Sequence, residues 1–231
     1  MRVQLALTCL IDGLRGSTGV SMVRVLEHVG CEVVFDKRQT CCGQPAFNAG
    51  DWTSSGRVAS AFVDCFDRDL PIVVPSGSCA AMMREGFRML GLGAGLRVFE
   101  LAQFLMNEVG VEKWRPVSRS RMVVLHSGCH GRMLGSMDSL ERLLALVPNL
   151  TVVTSETSEQ CCGFGGTFSM SHPSTSKGIG IEKLYRLKAT GASEVVSTDW
   201  GCLLHLEGLA RREGIGLKFN HVADVLAEAF E

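Results

Sequence analysis

Cys161-Cys162-Gly163-Phe164-Gly165-Gly166 and the shorter Cys41-Cys42-Gly43-Gln44-Pro45 decide how the rest of the chain is read. Counting backwards, 31 residues separate Cys9 from Cys41, and the same 31 separate Cys129 from Cys161. Counting forwards, 35 residues lie between Gly43 and Cys79 and 38 between Gly163 and Cys202. The chain therefore carries one four-cysteine pattern twice, about half its length apart.

Around each copy the same elements recur. Val3 to Thr8 is an apolar run that predicts a strand ending before Cys9, followed by a Gly/Ser turn and a helix with Val20, Val23 and Leu26 on one face. Cys31 to Phe35 predicts the next strand, ahead of Cys41. A helix over 54–67 follows, then a buried strand over 71–75, which leads through Ser76-Gly77-Ser78 to Cys79 at the start of a helix over 80–90. A strand over 96–99 and a helix over 100–108 close the half. The order then repeats, with strands at 122–125, 150–153, 194–197 and 217–219 and helices bearing Met137, Leu140, Leu144 and Val147, then over 175–189, from Cys202, and over 221–230. The reading is an α/β protein of two pseudo-symmetric Rossmann-like βαβ halves, 1–112 and 121–231, joined by a connector at 113–120 that lacks a hydrophobic period. Strands alternating with helices imply parallel sheets, and loops after parallel strands gather at one sheet edge. All eight repeat cysteines follow predicted strands, so two sites at the C-terminal strand ends are expected.

The 231 residues, 46% hydrophobic and with a net charge of −1, describe a chain with enough apolar material for large cores and no electrostatic reason to bind nucleic acid. Asp12 and Arg15 cut short the apolar start, so neither a secretory core nor a membrane span is expected. Ten cysteines in a chain this large point away from a small secreted disulfide scaffold and toward metal binding in a reducing, cytoplasmic setting. Cys31 and Cys65 fall outside the repeat and are read as core residues.

Four converging thiols repel one another as thiolates, so a cation or cluster is needed to take their charge. Iron–sulfur clusters and structural zinc both use four thiolates. Zinc favours Cys-x2-4-Cys knuckles, which are absent, whereas a cluster of several irons offers separate attachment points to adjacent cysteines. Iron–sulfur leads, with zinc at one site and metal-free thiol–disulfide chemistry as alternatives. The cofactor-binding and metal-ligating candidates are Cys9, Cys41, Cys42 and Cys79, and Cys129, Cys161, Cys162 and Cys202. His205, one helical step beyond Cys202, is a candidate fifth ligand, and Met82, beyond Cys79, is read as packing. His126 and His130 flank Cys129 as outer partners. Gly43 and Gly163 are expected to turn the backbone sharply. The Gly163 to Gly166 run also permits a phosphate or flavin cradle, though it follows the wrong strand for that fingerprint. No catalytic residue is evident.

These spacings, with Pro-Ser-Gly-Ser-Cys at 75–79, Cys-Cys-Gly-Phe-Gly-Gly-Thr-Phe at 161–168 and Ser-Thr-Asp-Trp-Gly-Cys at 197–202, resemble the duplicated cysteine-rich, or CCG, domain over essentially the whole chain. That domain occurs in the cysteine-rich subunit of heterodisulfide reductase, and within the group the chain is most similar to the lactate utilisation protein A family. The resemblance implies a cytoplasmic oxidoreductase component in the oxidation of L-lactate to pyruvate. It would carry one or two iron–sulfur clusters, [4Fe-4S] being the expected type, and act with a ferredoxin-domain iron–sulfur subunit and a third subunit. In the heterodisulfide reductase protein each repeat ends in Cys-x2-Cys and five cysteines hold a non-cubane cluster. Here the last positions are Met82 and His205.

Overall fold

The computed structural model describes residues 1–112, 114 and 119–230, so most of the expected connector lies outside the described residues. The first half forms a four-stranded parallel sheet of β1 (Arg2–Leu5), β2 (Glu32–Val34), β3 (Ile72–Val74) and β4 (Val98–Glu100), in the order β2-β1-β3-β4. The second repeats it with β5 (Arg121–Leu125), β6 (Leu150–Thr154), β7 (Glu194–Ser197) and β8 (Lys218–His221), in the order β6-β5-β7-β8. Register is equivalent in both: Leu5 pairs with Val73 and Leu125 with Val196. The expected α/β class with two parallel-sheet halves is what the structure shows.

The helices of the first half are α1 (Cys9–Leu14), α2 (Gly16–His28), α3 (Gln44–Asn48), α4 (Trp52–Val63), α5 (Gly77–Ala81), α6 (Phe87–Met89) and α7 (Leu101–Gln103). A π-helical turn at Met82–Gly86 joins α5 to α6, and another at Phe104–Val109 extends α7. Those of the second half are α8 (Cys129–Met133), α9 (Met137–Ala145), α10 (Phe168–Ser171), α11 (Pro173–Ala189), α12 (Trp200–Arg212) and α13 (Val222–Ala227).

Three expectations need correction. The residues after Cys9 form helix α1 directly rather than a turn. On α2 the buried face runs through Thr18, Met22, Val25 and Leu26, because that face meets α13, and Val20 points to solvent at 55% exposure. Cys31 lies in the core, but Cys65 is half-buried at the edge of an apolar cluster, its Sγ 3.5 Å from the Ala61 carbonyl.

The two sheets share one central core. Val3, Leu5 and Val73 of the first sheet and Val123, Leu125 and Val196 of the second point into it, and the alternate residues Ile72 and Val74, or Val124 and Val195, face separate outer cores. This is the period-2 alternation of a strand covered on both faces. The closing helix of each half packs on the second helix of the other, α13 on α2 and the Phe104–Val109 turn on α9. The helices that carry the last cysteines cross over as well, α5 against α8 and α12 against α1.

Buried polar groups fix this exchange. The Trp200 indole N–H donates to Thr18 Oγ1 at 2.9 Å, and the Thr18 hydroxyl donates to Asp224 at 2.8 Å. His221 Nε2 sits 2.6 Å from the Pro75 carbonyl, and Arg15 pairs with Glu207 while lying over the Trp200 ring. Thr18→Val keeps the volume but strands the indole N–H and removes a donor from Asp224, so a loss of about 1–3 kcal/mol is expected in denaturant unfolding. An unchanged midpoint would show that this chain of bonds does not hold the halves together.

Glu100, at the N-cap of α7, is wholly buried, with Oε2 accepting from the Ala102 N–H and Oε1 unpaired among the described residues. Burial pushes its carboxyl up to about 8 from 4.5. Between those values the folded chain holds a proton that the unfolded chain has released, so stability falls as pH rises across that window. Glu100→Gln should therefore flatten the decline of the unfolding temperature between pH 5 and 9, roughly the span of those two values. Parallel curves for the two proteins would refute this.

Candidate metal centres

The strand order reverses between β1 and β3 in one sheet and between β5 and β7 in the other, and a doubly wound sheet opens a crevice at that point. Cys9 starts α1 just beyond β1, and Cys79 sits in the first turn of α5 just beyond β3. Cys41 and Cys42 arrive on the loop after β2, which Gln39 ties to the end of β1 by donating to the Leu5 carbonyl at 2.8 Å. In the second half Cys129 starts α8, Cys202 lies in the first turn of α12, and Cys161 and Cys162 follow β6. There the loop is held by Lys183, a fully buried side chain whose Nζ donates to the Thr157 and Ser158 carbonyls at 2.7 and 3.2 Å. Phe62 stands at the matching position of α4.

Each set forms a chain of touching sulfurs. Cys42 Sγ lies 3.6 Å from Cys79 Sγ, and Cys41 lies between Cys42 and Cys9. The thiols of Cys42 and Cys9 donate to Cys41 and hold it as a thiolate, well below the ordinary thiol range. Cys9 and Cys42 are pushed up in turn, first by that same hydrogen bond to Cys41. The second set repeats this: Cys161 is held as the thiolate by Cys129 and Cys162, both of which are pushed up. Cys202 is drawn down by its contact with Cys162 but raised overall by burial and by Asp199. None of the ten cysteines forms a disulfide.

Backbone geometry supports the charged sulfurs. Gly43 and Gly163 have φ of +86° and +89°, and their N–H groups donate to Cys41 Sγ at 3.4 Å and Cys161 Sγ at 3.3 Å. The Phe164 N–H adds a bond to Cys162 Sγ at 3.4 Å. Behind each glycine a buried serine returns a hydrogen bond, Ser55 to the Gly43 carbonyl at 3.0 Å and Ser176 to that of Gly163 at 2.8 Å. These serines occupy equivalent places on α4 and α11, and their spacing of 12 and 13 residues from the glycines was the signal available in the sequence. The Gly163 to Gly166 turn packs Phe164 against Gly201 and His205.

Met82 is buried in the outer core of the first half, as packing. His205 is half-buried, with Nε2 3.5 Å from Ser176 Oγ. His130 Nδ1 lies 3.6 Å from Cys129 Sγ, and its Nε2 is 3.4 Å from Gln44 Nε2, linking the second set to the loop of the first. Asp199 bridges the two Cys-bearing helices, accepting from the Gly201 N–H at 3.0 Å on its own helix and the Ser78 N–H at 2.9 Å on α5. His126 is buried beside Cys162 and Cys202.

A donor set of four crowded sulfurs, with members at the first turns of helices and with backbone N–H groups aimed at Cys41 and Cys161, suits a cationic metal or cluster. The cysteine-rich (CCG) domain matches the chain twice, over residues 3–84 and 123–207. Full-length relatives agree with it. Lactate utilization protein A from Oceanobacillus iheyensis is 35% identical over 98% of this chain and 96% of its own length, and the protein of that name from Halalkalibacterium halodurans is 36% identical over the same shares. The chain belongs to the lactate utilization protein A family. Another relative, lactate utilization protein A 1 of Bacillus mycoides, is 34% identical over 99% of this chain and 97% of its own. A crystal structure of a hypothetical protein from Helicobacter pylori aligns with 99% of this chain at a TM-score of 0.62 and 10% identity. This chain spans about half of that protein, 48%, and the likeness concerns the fold alone.

The glycines give the family site its sharpest steric requirement. A Cβ on Gly163 would stand 2.5 Å from the Ser176 carbonyl oxygen, and one on Gly43 2.9 Å from that of Ser55. Both substitutions to alanine should cost at least the roughly 1–2 kcal/mol of a left-handed L-residue, with Gly163→Ala the more severe. Thermal unfolding tests the ranking, and a Gly163→Ala protein as stable as wild type would contradict it.

Proposed function

We propose that this chain is an iron–sulfur subunit of a lactate utilization system, transferring electrons in the oxidation of L-lactate to pyruvate. The observation that carries the proposal is the double gathering of four thiols, each set with a left-handed glycine whose N–H donates to one of its sulfurs. The names of the full-length relatives supply the metabolic setting. Cys9, Cys41, Cys42 and Cys79 would hold one cluster and Cys129, Cys161, Cys162 and Cys202 the other, with [4Fe-4S] the expected type and 1–112 and 121–231 acting as the two repeats. Such a cluster, when bound, takes up and releases single electrons.

The chain's own residues supply the setting. Gly43, Gly163 and Phe164 orient N–H groups to sulfur and so favour the thiolate forms. Cys42 and Cys162 are buried and keep water from the inner side of each set, while Cys9, Cys129 and Cys161 are exposed and leave an open side toward a partner. A ferredoxin-domain subunit is the proposed electron partner, with a third subunit completing a cytoplasmic assembly. Among the described residues no helix is long and apolar enough to cross a membrane. A second reading, zinc at the second site, draws on the grouping of His126 with Cys162 and Cys202.

Anaerobic purification with iron and acid-labile sulfide analysis tests the proposal. Wild type should contain both in matching amounts, and Cys41→Ser and Cys161→Ser should each lose one site's share and keep the other's. A colourless protein without iron after anaerobic reconstitution, or one that retains zinc in iron-rich medium, would overturn it.

A further inference from the structure

The second thiol set has a neighbour that the first lacks. His126 follows Leu125, the last residue of β5, whereas the residue that follows Leu5 of β1 is Ala6. The imidazole is 1% exposed, and neither Nδ1 nor Nε2 has a hydrogen-bond partner among the described residues. A ring nitrogen of His126 and the sulfurs of Cys162 and Cys202 all lie within 4.8 Å of one another. Buried polar atoms without partners are rare and unfavourable, so a ring with both nitrogens unsatisfied needs a reason to be there. A structural histidine would show a hydrogen bond, as His221 does to the Pro75 carbonyl. His205 likewise has Ser176 beside it and packs on Phe164, outside this grouping. A cation bonded at about 2.0–2.1 Å to nitrogen and about 2.3 Å to sulfur would span the His126–Cys162–Cys202 group after small side-chain adjustments and would satisfy the ring.

We propose that His126 is a direct ligand of the metal centre held by Cys129, Cys161, Cys162 and Cys202, so that the second site is a mixed imidazole–thiolate site and the first an all-thiolate one. This rests on reading the thiol sets as metal or cluster sites, but not on iron being the metal.

The test uses the full chain with the first set silenced by Cys41→Ser and Cys42→Ser, loaded anaerobically in separate arms with Co(II) alone and with iron and sulfide. Pulsed EPR should detect a strongly coupled nitrogen at the paramagnetic centre. That coupling should disappear in His126→Ala and in the bulkier His126→Gln, and persist in His205→Ala. Co(II) should bind His126→Ala at least tenfold more weakly, since loss of even an outer partner of a metal typically costs about 10–100-fold. Circular dichroism checks that both variants fold, and Ala6 shows that alanine fits this strand end in the first half. Nitrogen coupling with Co(II) but no uptake of iron and sulfide would support His126 as ligand while ending the iron–sulfur reading. A loaded second site whose spectrum is the same with and without His126, or a chain that binds neither probe, would overturn the proposal.

Discussion

Crowding of sulfur is the constraint on which the structure depends. Four thiols in contact cannot all ionise freely, and each half of this chain builds that arrangement: Cys41 and Cys161 are drawn well below the ordinary thiol range, flanked by Cys9 and Cys42 or by Cys129 and Cys162, which are pushed the other way. The fold uses two left-handed glycines, two buried serines and two capped helix starts to hold those sulfurs close. A bound cation turns that repulsion into coordination, which gives the unfavourable geometry a purpose.

The halves are not independent supports for two separate sites. Their sheets share a central core, and each half lends its closing helix to the other, so neither sheet's inner face is covered by its own helices alone. The polar seam follows the same logic. Asp199 caps α12 and also reaches the start of α5, and Gln44 beside one set meets His130 beside the other. A disturbance at one set therefore has a short, bonded route to the other.

Much of this was legible in the sequence. Short continuous apolar runs such as 72–74, and the equal spacing of Cys9 to Cys41 and Cys129 to Cys161, were enough to predict the sheets and to place eight cysteines beyond strand ends. What stayed hidden depends on the other half. The buried face of α2 is set by α13, nearly two hundred residues away in sequence, so its own periodicity misplaced Val20. Asp199 reads locally as a helix cap, and its second role requires α5 to be next to it. His126 and Lys183 look like ordinary polar residues until Ala6 and Phe62 are seen in the matching places. Only the packed structure shows the histidine without a hydrogen-bond partner among the described residues and the lysine engaged by the Cys161 loop.

That each thiol set exists to hold a metal centre is open to direct test by native mass spectrometry of protein kept anaerobic throughout. The mass should exceed that of the sequence by two discrete increments, lost separately when acid or chelator is added, with all ten thiols then free to alkylate. A chain at its sequence mass, or lighter by the hydrogens of disulfides at Cys41-Cys42 and Cys161-Cys162, would contradict it.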